Sequence, residues 1–399
     1  MDWKGRVGIF GIGEAGVGRA HGKSAFMIQA EAIDNALNEA GISLDEVDGI
    51  VNPNSLSDPR LRYAQSVAEY IGMSADKLRF VQTDPLGGSA SGQSIHHAVM
   101  SIISGYASVV VVCGGDVLRS ASGASSQGAQ NQMADVMGKE FENPYGLSPV
   151  AFFALMARKY MVDYGVTPET MAGVAVALRA YAATTPGAHL FGRPVSVADV
   201  MESPMIADPI HRLECALISD GACALILASA EARTKFKKAP VLVDAASIAY
   251  GSGSGKVHEH MSQAVDLYTP RSSARVSSRR ALADAGLSLR DVDVLFAYDA
   301  FPVLPSLLIE GLGYAEDGRG ADFIASGNIA LDGTIPMNTH GGLQGYCHSG
   351  YNGGMFMFTE AVRQLRGEAH NQVSDAHIAL VQGYGSHISR FPTTILRSE

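Results

Sequence analysis

The sequence predicts an α/β protein made of two similar halves, and three observations carry that prediction. The first is an internal repeat. Residues 36–51 read ALNEAGISLDEVDGIV and residues 281–296 read ALADAGLSLRDVDVLF, with Ala, Leu, Ala, Gly, Ser, Leu, Val and Asp recurring in register. Each copy reads as a helix that stops at a glycine, Gly41 or Gly286, because glycine takes the left-handed conformation of a C-cap without steric cost. A polar turn and an apolar strand follow. A helix feeding a buried strand is the unit of a parallel sheet covered on both faces. The second observation is a series of short apolar, β-branched runs bounded by Gly or Pro. They fall at 7–11, 49–52, 78–83, 108–114 and 223–229, then at 241–246, 292–298, 377–383 and 393–397. The third is an interruption. Residues 117–200 are rich in Ser, Gly, Gln, Met and Tyr, with helices expected at 149–164 and 168–185. They read as an inserted lobe over the ligand site, of the kind that shapes specificity. The halves are placed at 1–245 and 246–399.

Composition narrows the function classes. The chain has 399 residues, 47% hydrophobic and 18% charged, which is ample for a large buried core. No apolar run reaches the roughly 18 residues that span a bilayer. The start MDWKGRVGIFGIG lacks the segments of a secretory leader, so a soluble, cytoplasmic protein is expected. A net charge of −10 argues against nucleic acid as a main partner. An anionic ligand would need a local basic patch. Arg271, Arg275, Arg279 and Arg280 offer one, although such a run is also what a solvated helix face looks like. Cys113, Cys215, Cys223 and Cys347 form no CxxC and fit no zinc spacing, so neither metal nor disulfide framework is expected. Gly11-x-Gly13-x-x-Gly16 follows a strand, as a dinucleotide fingerprint would. The next residues bring no immediate helix, and the following strand ends without an acid to hold a ribose. No nicotinamide or flavin cofactor is expected.

Four segments carry chemistry. Residues 84–92, DPLGGSASG, join a strand to a helix expected at 93–104. A small nucleophile at such a turn is helped by the free N–H groups of the helix start. Ser89 holds that place, but a hydroxyl needs an adjacent base to attack, and the residue reads more readily as a helix cap. Residues 341–350, GGLQGYCHSG, set His348 in a polar glycine-rich loop, where a functional role outweighs a core one. Tyr298-Asp299-Ala300-Phe301 closes the strand that begins at 292. A tyrosine there can donate a hydrogen bond to an enolate oxygen or serve as an acid/base, or it can simply end a buried strand. Residues 381–386 read VQGYGS, where Gly383 and Gly385 could offer backbone N–H groups to an oxyanion.

These segments resemble the thiolase superfamily over nearly the whole chain. Ser89-Ala90-Ser91-Gly92 stands where the family has Cys-Ala-x-Gly. The spacing from Gly341 to His348 is that of its Gly-Gly-Leu…Gly-His motif. Tyr298–Phe301 stands where it has Asn-Glu-Ala-Phe or, in the sterol-carrier type, His-Asp-x-Phe. Ser219-Asp220-Gly221-Ala222-Cys223-Ala224 matches a structural turn of the family, and residues 360–367, EAVRQLRG, are also typical of it. The resemblance implies a duplicated, thiolase-like fold layered α-β-α-β-α. It further implies an acyl-CoA substrate with no cofactor beyond the coenzyme A it carries, a homodimer, and His348 as the catalytic histidine. It also shows what is missing. The family's nucleophilic cysteine falls on Ser89 and its acid/base cysteine on Val381, so ordinary thiolysis is not expected.

What remains can still stabilise a thioester enolate. A retro-aldol step needs only that: a base takes the β-hydroxyl proton, the Cα–Cβ bond breaks, and Cα is protonated. The chain is similar to cysteine-free relatives in bacterial steroid catabolism that split a β-hydroxyacyl-CoA into a ketone and a shorter acyl-CoA, together with a small OB-fold partner. By that resemblance Tyr298 and His348 are the acid/base and oxyanion groups, with Asp299 orienting them. Because such relatives can carry Tyr at the place of His348, Tyr346 enters as a further candidate acid/base. Three rivals stay open: an acyltransferase or thiolase using Ser89 or a repositioned Cys347, a non-catalytic acyl-CoA or lipid binder, and a subunit that completes another chain's site. The inserted lobe, with Met133, Met137, Met156 and Met161, fits a bulky apolar acyl group or an ordinary core.

Overall fold

The computed structural model describes residues 3–84, 87–121, 148–251, 267–385 and 390–399. The first run of elements is β1 (Val7–Gly18), α1 (Ala25–Ala40), β2 (Gly49–Pro53), α2 (Tyr63–Tyr70), β3 (Phe80–Asp84), α3 (Ala90–Ile103), β4 (Val109–Asp116) and α4 (Leu118–Ala121). Next come α5 (Pro149–Tyr164), α6 (Pro168–Thr184), α7 (Val197–Glu202), β5 (Met205–Ala207), β6 (Ile210–His211) and β7 (Asp220–Ser229). The second run is β8 (Val241–Tyr250), α8 (Thr269–Ala285), β9 (Val294–Ala297), α9 (Val303–Leu312), α10 (Gly320–Ala325), α11 (Met355–Arg366), β10 (Ile378–Gln382) and β11 (Arg390–Arg397).

The repeat seen in the sequence folds the same way twice. Helices α1 and α8 end at Gly41 (φ 75°) and Gly286 (φ 67°), both left-handed. A 3-10 turn follows each. In the first, the Glu46 carboxylate accepts the Ser43 N–H at 2.9 Å; in the second, Asp291 accepts the Ser288 N–H at 2.7 Å. The strands β2 and β9 come next.

Nine strands hydrogen-bond in the order β3-β2-β4-β7-β1-β8-β11-β10-β9. Read outward from the middle, the pattern repeats, with β3 an additional parallel strand at one edge. β2 and β4 are parallel, β7 and β1 antiparallel additions; β9 and β10 are parallel, β11 and β8 antiparallel additions. The two runs join at an antiparallel seam, Val7↔Val243 to Ile9↔Val241. Helices α1 and α2 pack on the strands of the first run and α8 on those of the second, while α3 and α11 touch strands of both. The layers are thus α-β-α-β-α. Because the inner strands are covered on both faces, they are apolar throughout rather than alternating with polar residues. On β4, Val110 and Val112 join the central core, and Val111 and Cys113 join the core beneath α1.

Some expectations need correction. The junction expected at 245 falls inside β8, so the second run of strands starts at Val241. β1 runs on through Gly11, Gly13 and Gly16 instead of turning. A β-carbon on Gly11 would lie 2.3 Å from the Ala36 carbonyl oxygen, and one on Gly13 2.1 Å from that of Ala32. These glycines let α1 lie close on the strand. α3 begins at Ala90, three residues earlier than expected. In the inserted lobe, residues 122–147, with Met133 and Met137, lie outside the described residues, while Met156 and Met161 are buried in the core. The arginine run on α8 is partly committed: Arg271 pairs with Glu310 at 3.0 Å and Arg275 with Asp317 at 2.8 Å. Among the described residues, no helix is long and apolar enough to cross a membrane.

Candidate active site

The start of α3, the end of β9 and the loop 338–354 converge on one small region. Tyr298 leaves β9 with its N–H bonded to the Gln382 carbonyl at 3.1 Å. Its phenol lies against Gly88, where a β-carbon would come within 2.6 Å of the hydroxyl. Glycine at 88 is therefore the condition for that phenol to reach the start of α3. The Tyr298 hydroxyl is 3.5 Å from Nε2 of His348. His348 is held from behind by its backbone, which bridges to Ile218 and accepts the Ser219 N–H at 3.0 Å. Its Nδ1 is buried with no partner among the described residues. Burial pulls the imidazole down to about 4, so it is neutral near pH 7. Burial, with the Asp299 charge adding to it, pushes the Tyr298 phenol well above its ordinary value. The pair is thus a neutral O–H donor facing a neutral imidazole.

Asp299 acts at one remove. It is fully buried, and its Oδ1 accepts the Leu343 N–H at 2.8 Å. Gly342, at φ 58°, lies so close that a β-carbon there would be 2.1 Å from Oδ2. Asp299 therefore underpins the wide π-type turn Gly342–Tyr346, which delivers His348. Burial pushes its carboxyl up to about 7 against the hydrogen bonds that lower it.

The remaining candidates part company. Ser89 stands at the start of α3, buried, in an α-helical conformation and with no side-chain capping bond. Among the described residues no base hydrogen-bonds its hydroxyl, so it is an unactivated serine. Gly385 presses on it: a β-carbon at 385 would lie 2.1 Å from Ser89 N and 2.6 Å from its Oγ. The expectation that Gly383 and Gly385 present N–H groups to an oxyanion is overturned. Gly383 N–H donates to the Pro392 carbonyl at 2.8 Å and Gly385 N–H to that of Arg390 at 3.0 Å. The start of β11 consumes both donors. Tyr346 is turned elsewhere as well. Its hydroxyl donates to Glu14 Oε2 at 2.6 Å, and Glu14 is paired with Arg363 at 2.9 Å. Cys347 is buried with its thiol on the Asp220 carbonyl at 3.3 Å, and burial pushes that thiol far up, away from a reactive thiolate.

Sequence reasoning missed two features. One is the Glu14–Arg363 brace behind the histidine loop, which joins β1 to α11. The other is Tyr351, on the 3-10 turn Gly350–Asn352 just after His348. A tyrosine three residues beyond the histidine in a glycine-rich loop was the available signal.

The arrangement can move a proton between an oxygen and an imidazole and hold an oxyanion, and among the described residues it offers no activated nucleophile. Relatives are found along nearly the whole chain. Residues 11–231 match the family "Thiolase, N-terminal domain" and residues 253–398 match "Thiolase C-terminal domain-like". The chain is 34% identical to the "17-hydroxy-3-oxo-4-pregnene-20-carboxyl-CoA lyase" of Mycobacterium tuberculosis, across 96% of this chain and 97% of that protein. It is 33% identical to the "Steroid side-chain-cleaving aldolase" of Thermomonospora curvata, across 94% of each. The solved structure of the "Ltp2-ChsH2(DUF35) aldolase" superposes with a TM-score of 0.85 at 31% identity, covering 100% of this chain and 99% of that one. With both domain families matched in order and the site built on their shared loops, the chain belongs to the thiolase superfamily, in the branch that holds its sterol-carrier-type and side-chain-cleaving members.

Proposed function

We propose that this chain cleaves a carbon–carbon bond in a β-hydroxyacyl-CoA by a retro-aldol step. The observation that carries the reading is the contact between the Tyr298 hydroxyl and the neutral imidazole of His348, 3.5 Å apart, in a site with no activated nucleophile among the described residues. The β-hydroxyl proton passes through the Tyr298 hydroxyl to Nε2 of His348. The Cα–Cβ bond breaks, its electron pair moves into the thioester as an enolate, and the β-carbon becomes a ketone. Burial disfavours the imidazolium, so the proton is handed on to Cα, releasing the shorter acyl-CoA. Asp299 keeps the loop in register through Leu343. The names of the relatives support a steroid side chain as the acyl group.

Two assembly features belong to the same reading. The "Ltp2-ChsH2(DUF35) aldolase" supports a small OB-fold partner for this chain. A homodimer through the edge strand β3 is supported by a groove of about 610 Å³ beside it, lined by Trp3, Phe80, Gln82, Met100 and Tyr106. Met100 and Tyr106 are exposed apolar side chains there.

The test is direct. The purified chain, alone and with an OB-fold partner, is incubated with a β-hydroxyacyl-CoA bearing a steroid side chain. The expected result is a ketone and a shorter acyl-CoA in equal amounts, with no mass added to the protein. A trapped acyl-enzyme would replace this reading with acyl transfer. Binding without turnover in either assembly would replace it with a carrier role.

A further inference from the structure

A retro-aldol substrate presents two oxygens that change charge, the β-hydroxyl and the thioester carbonyl, separated by three carbons: the two of the breaking bond and the carbonyl carbon. The Tyr298–His348 pair attends to the first. The second gains a full negative charge as the enolate forms, and it needs its own donor. Two glycine donors beside the start of α3 are spent: the Gly383 and Gly385 N–H groups are bonded to β11.

A different donor stands free. The hydroxyl of Tyr351 is buried and has no partner among the described residues. It sits on the turn Gly350–Asn352, three residues beyond His348, and that turn packs on both α3 and the end of β4. The segment stays against the reactive pair: a β-carbon at Gly353, two residues on, would lie 3.5 Å from Cδ2 of the His348 ring. Two other polar side chains, on that turn and on the helix it packs against, are also unsatisfied. Asn352, fully buried, leaves both its amide nitrogen and its oxygen without partners, and Ser91 on the first turn of α3 leaves its hydroxyl so. Gly114 and Gly354 make room for them: a β-carbon at 114 would lie 2.5 Å from Asn352 Oδ1 and one at 354 would lie 2.6 Å from Ser91 Oγ. Leaving a buried polar group unpaired is costly to the fold. Several such groups gathered beside a reactive pair mark a surface shaped for a polar ligand atom rather than for stability.

Resting on the retro-aldol reading, we infer that Tyr351 is a further catalytic residue, whose hydroxyl holds the thioester oxygen of the acyl-CoA as it becomes an enolate. No proton is transferred by Tyr351. It donates one hydrogen bond that strengthens as the oxygen gains charge, so its effect falls on the chemical step rather than on binding.

The experiment is Tyr351→Phe in the full chain, with kcat, KM and Tm measured beside the wild type on the same β-hydroxyacyl-CoA. The expected result is a fall in kcat of about a hundredfold, the size of losing one oxyanion donor, with KM changed by less than about threefold. Tm should hold or rise, because the lost hydroxyl had no partner to lose. A kcat that survives the substitution, or a rise in KM alone, overturns the assignment. A fall in kcat that merely follows a fall in Tm overturns it too. A wild-type chain that cleaves nothing sinks the retro-aldol reading and this role with it, whereas cleavage that survives Tyr351→Phe sinks only the role.

Discussion

The two copies of the helix–turn–strand unit finish differently. Continuing the register of the repeat, Pro53 is the counterpart of Tyr298 and Asn54 that of Asp299. In the first copy, proline ends the strand and Asn54 folds back on its own turn. The Asn54 amide donates to the Arg60 carbonyl at 2.8 Å, and its side-chain oxygen accepts the N–H groups of Ser55 and Arg60. In the second copy, a phenol ends the strand and the acid reaches a loop more than forty positions away, through Leu343. One copy spends its polar atoms on local geometry and the other spends them on a distant histidine. Duplication supplied two equivalent scaffolds, and the chemistry was installed on one.

The sharpest way to break this contrast is Tyr298→Phe. It should lower kcat by about 10²–10³, the range for losing a donor that meets developing charge, with the fold intact by circular dichroism. A variant as fast as wild type would return Tyr298 to the status of its silent counterpart. Next in size is Asp299→Asn, expected to cost roughly tenfold in kcat as the loop loosens around His348. Here pH gives a second reading. Folding raises the Asp299 carboxyl from 3.8 to about 7, so its contribution to stability is present at low pH and is lost as pH rises toward 7. Turnover should move the other way, rising through pH 7 as the ionised carboxylate grips the Leu343 N–H. The Asn variant should lack both trends, and a wild-type rate profile flat between about pH 6 and 8 would count against the positioning role.

Asn54→Ala should show the mirror image: about 1 kcal/mol of stability lost with its turn bonds, read by chemical denaturation, and kcat unchanged. The smallest expected effect is that of Ser89→Ala, less than about threefold in kcat, since no base activates that hydroxyl. A large loss there would restore acyl transfer as a contender.

Much of this was legible in the chain. The repeat, the strand runs and the helix Pro149–Tyr164 could be read because each rests on local pattern: a glycine stop, β-branched runs, a serine before a proline. His348 and Tyr298 could be singled out because resemblance and local setting agreed. What failed depended on pairing across the fold. Gly383 and Gly385 looked like free donors because nothing in the sequence says that β11 turns back to bond them. Tyr346 looked available because Glu14, its partner, lies more than three hundred positions away. Tyr351 was passed over for a related reason: an unsatisfied hydroxyl is visible only once every neighbour has been placed.

The seam at Val7–Ile9 and Val241–Val243 has a mechanical consequence. Gly88 and Ser89 come from one side of it and the reacting Tyr298 and His348 from the other, so the walls of the site straddle a welded joint. Jaw-like closing between the halves would tear that weld. The floor that sets Tyr298 against Gly88 is therefore stiff, fixed by backbone pairing that both halves share.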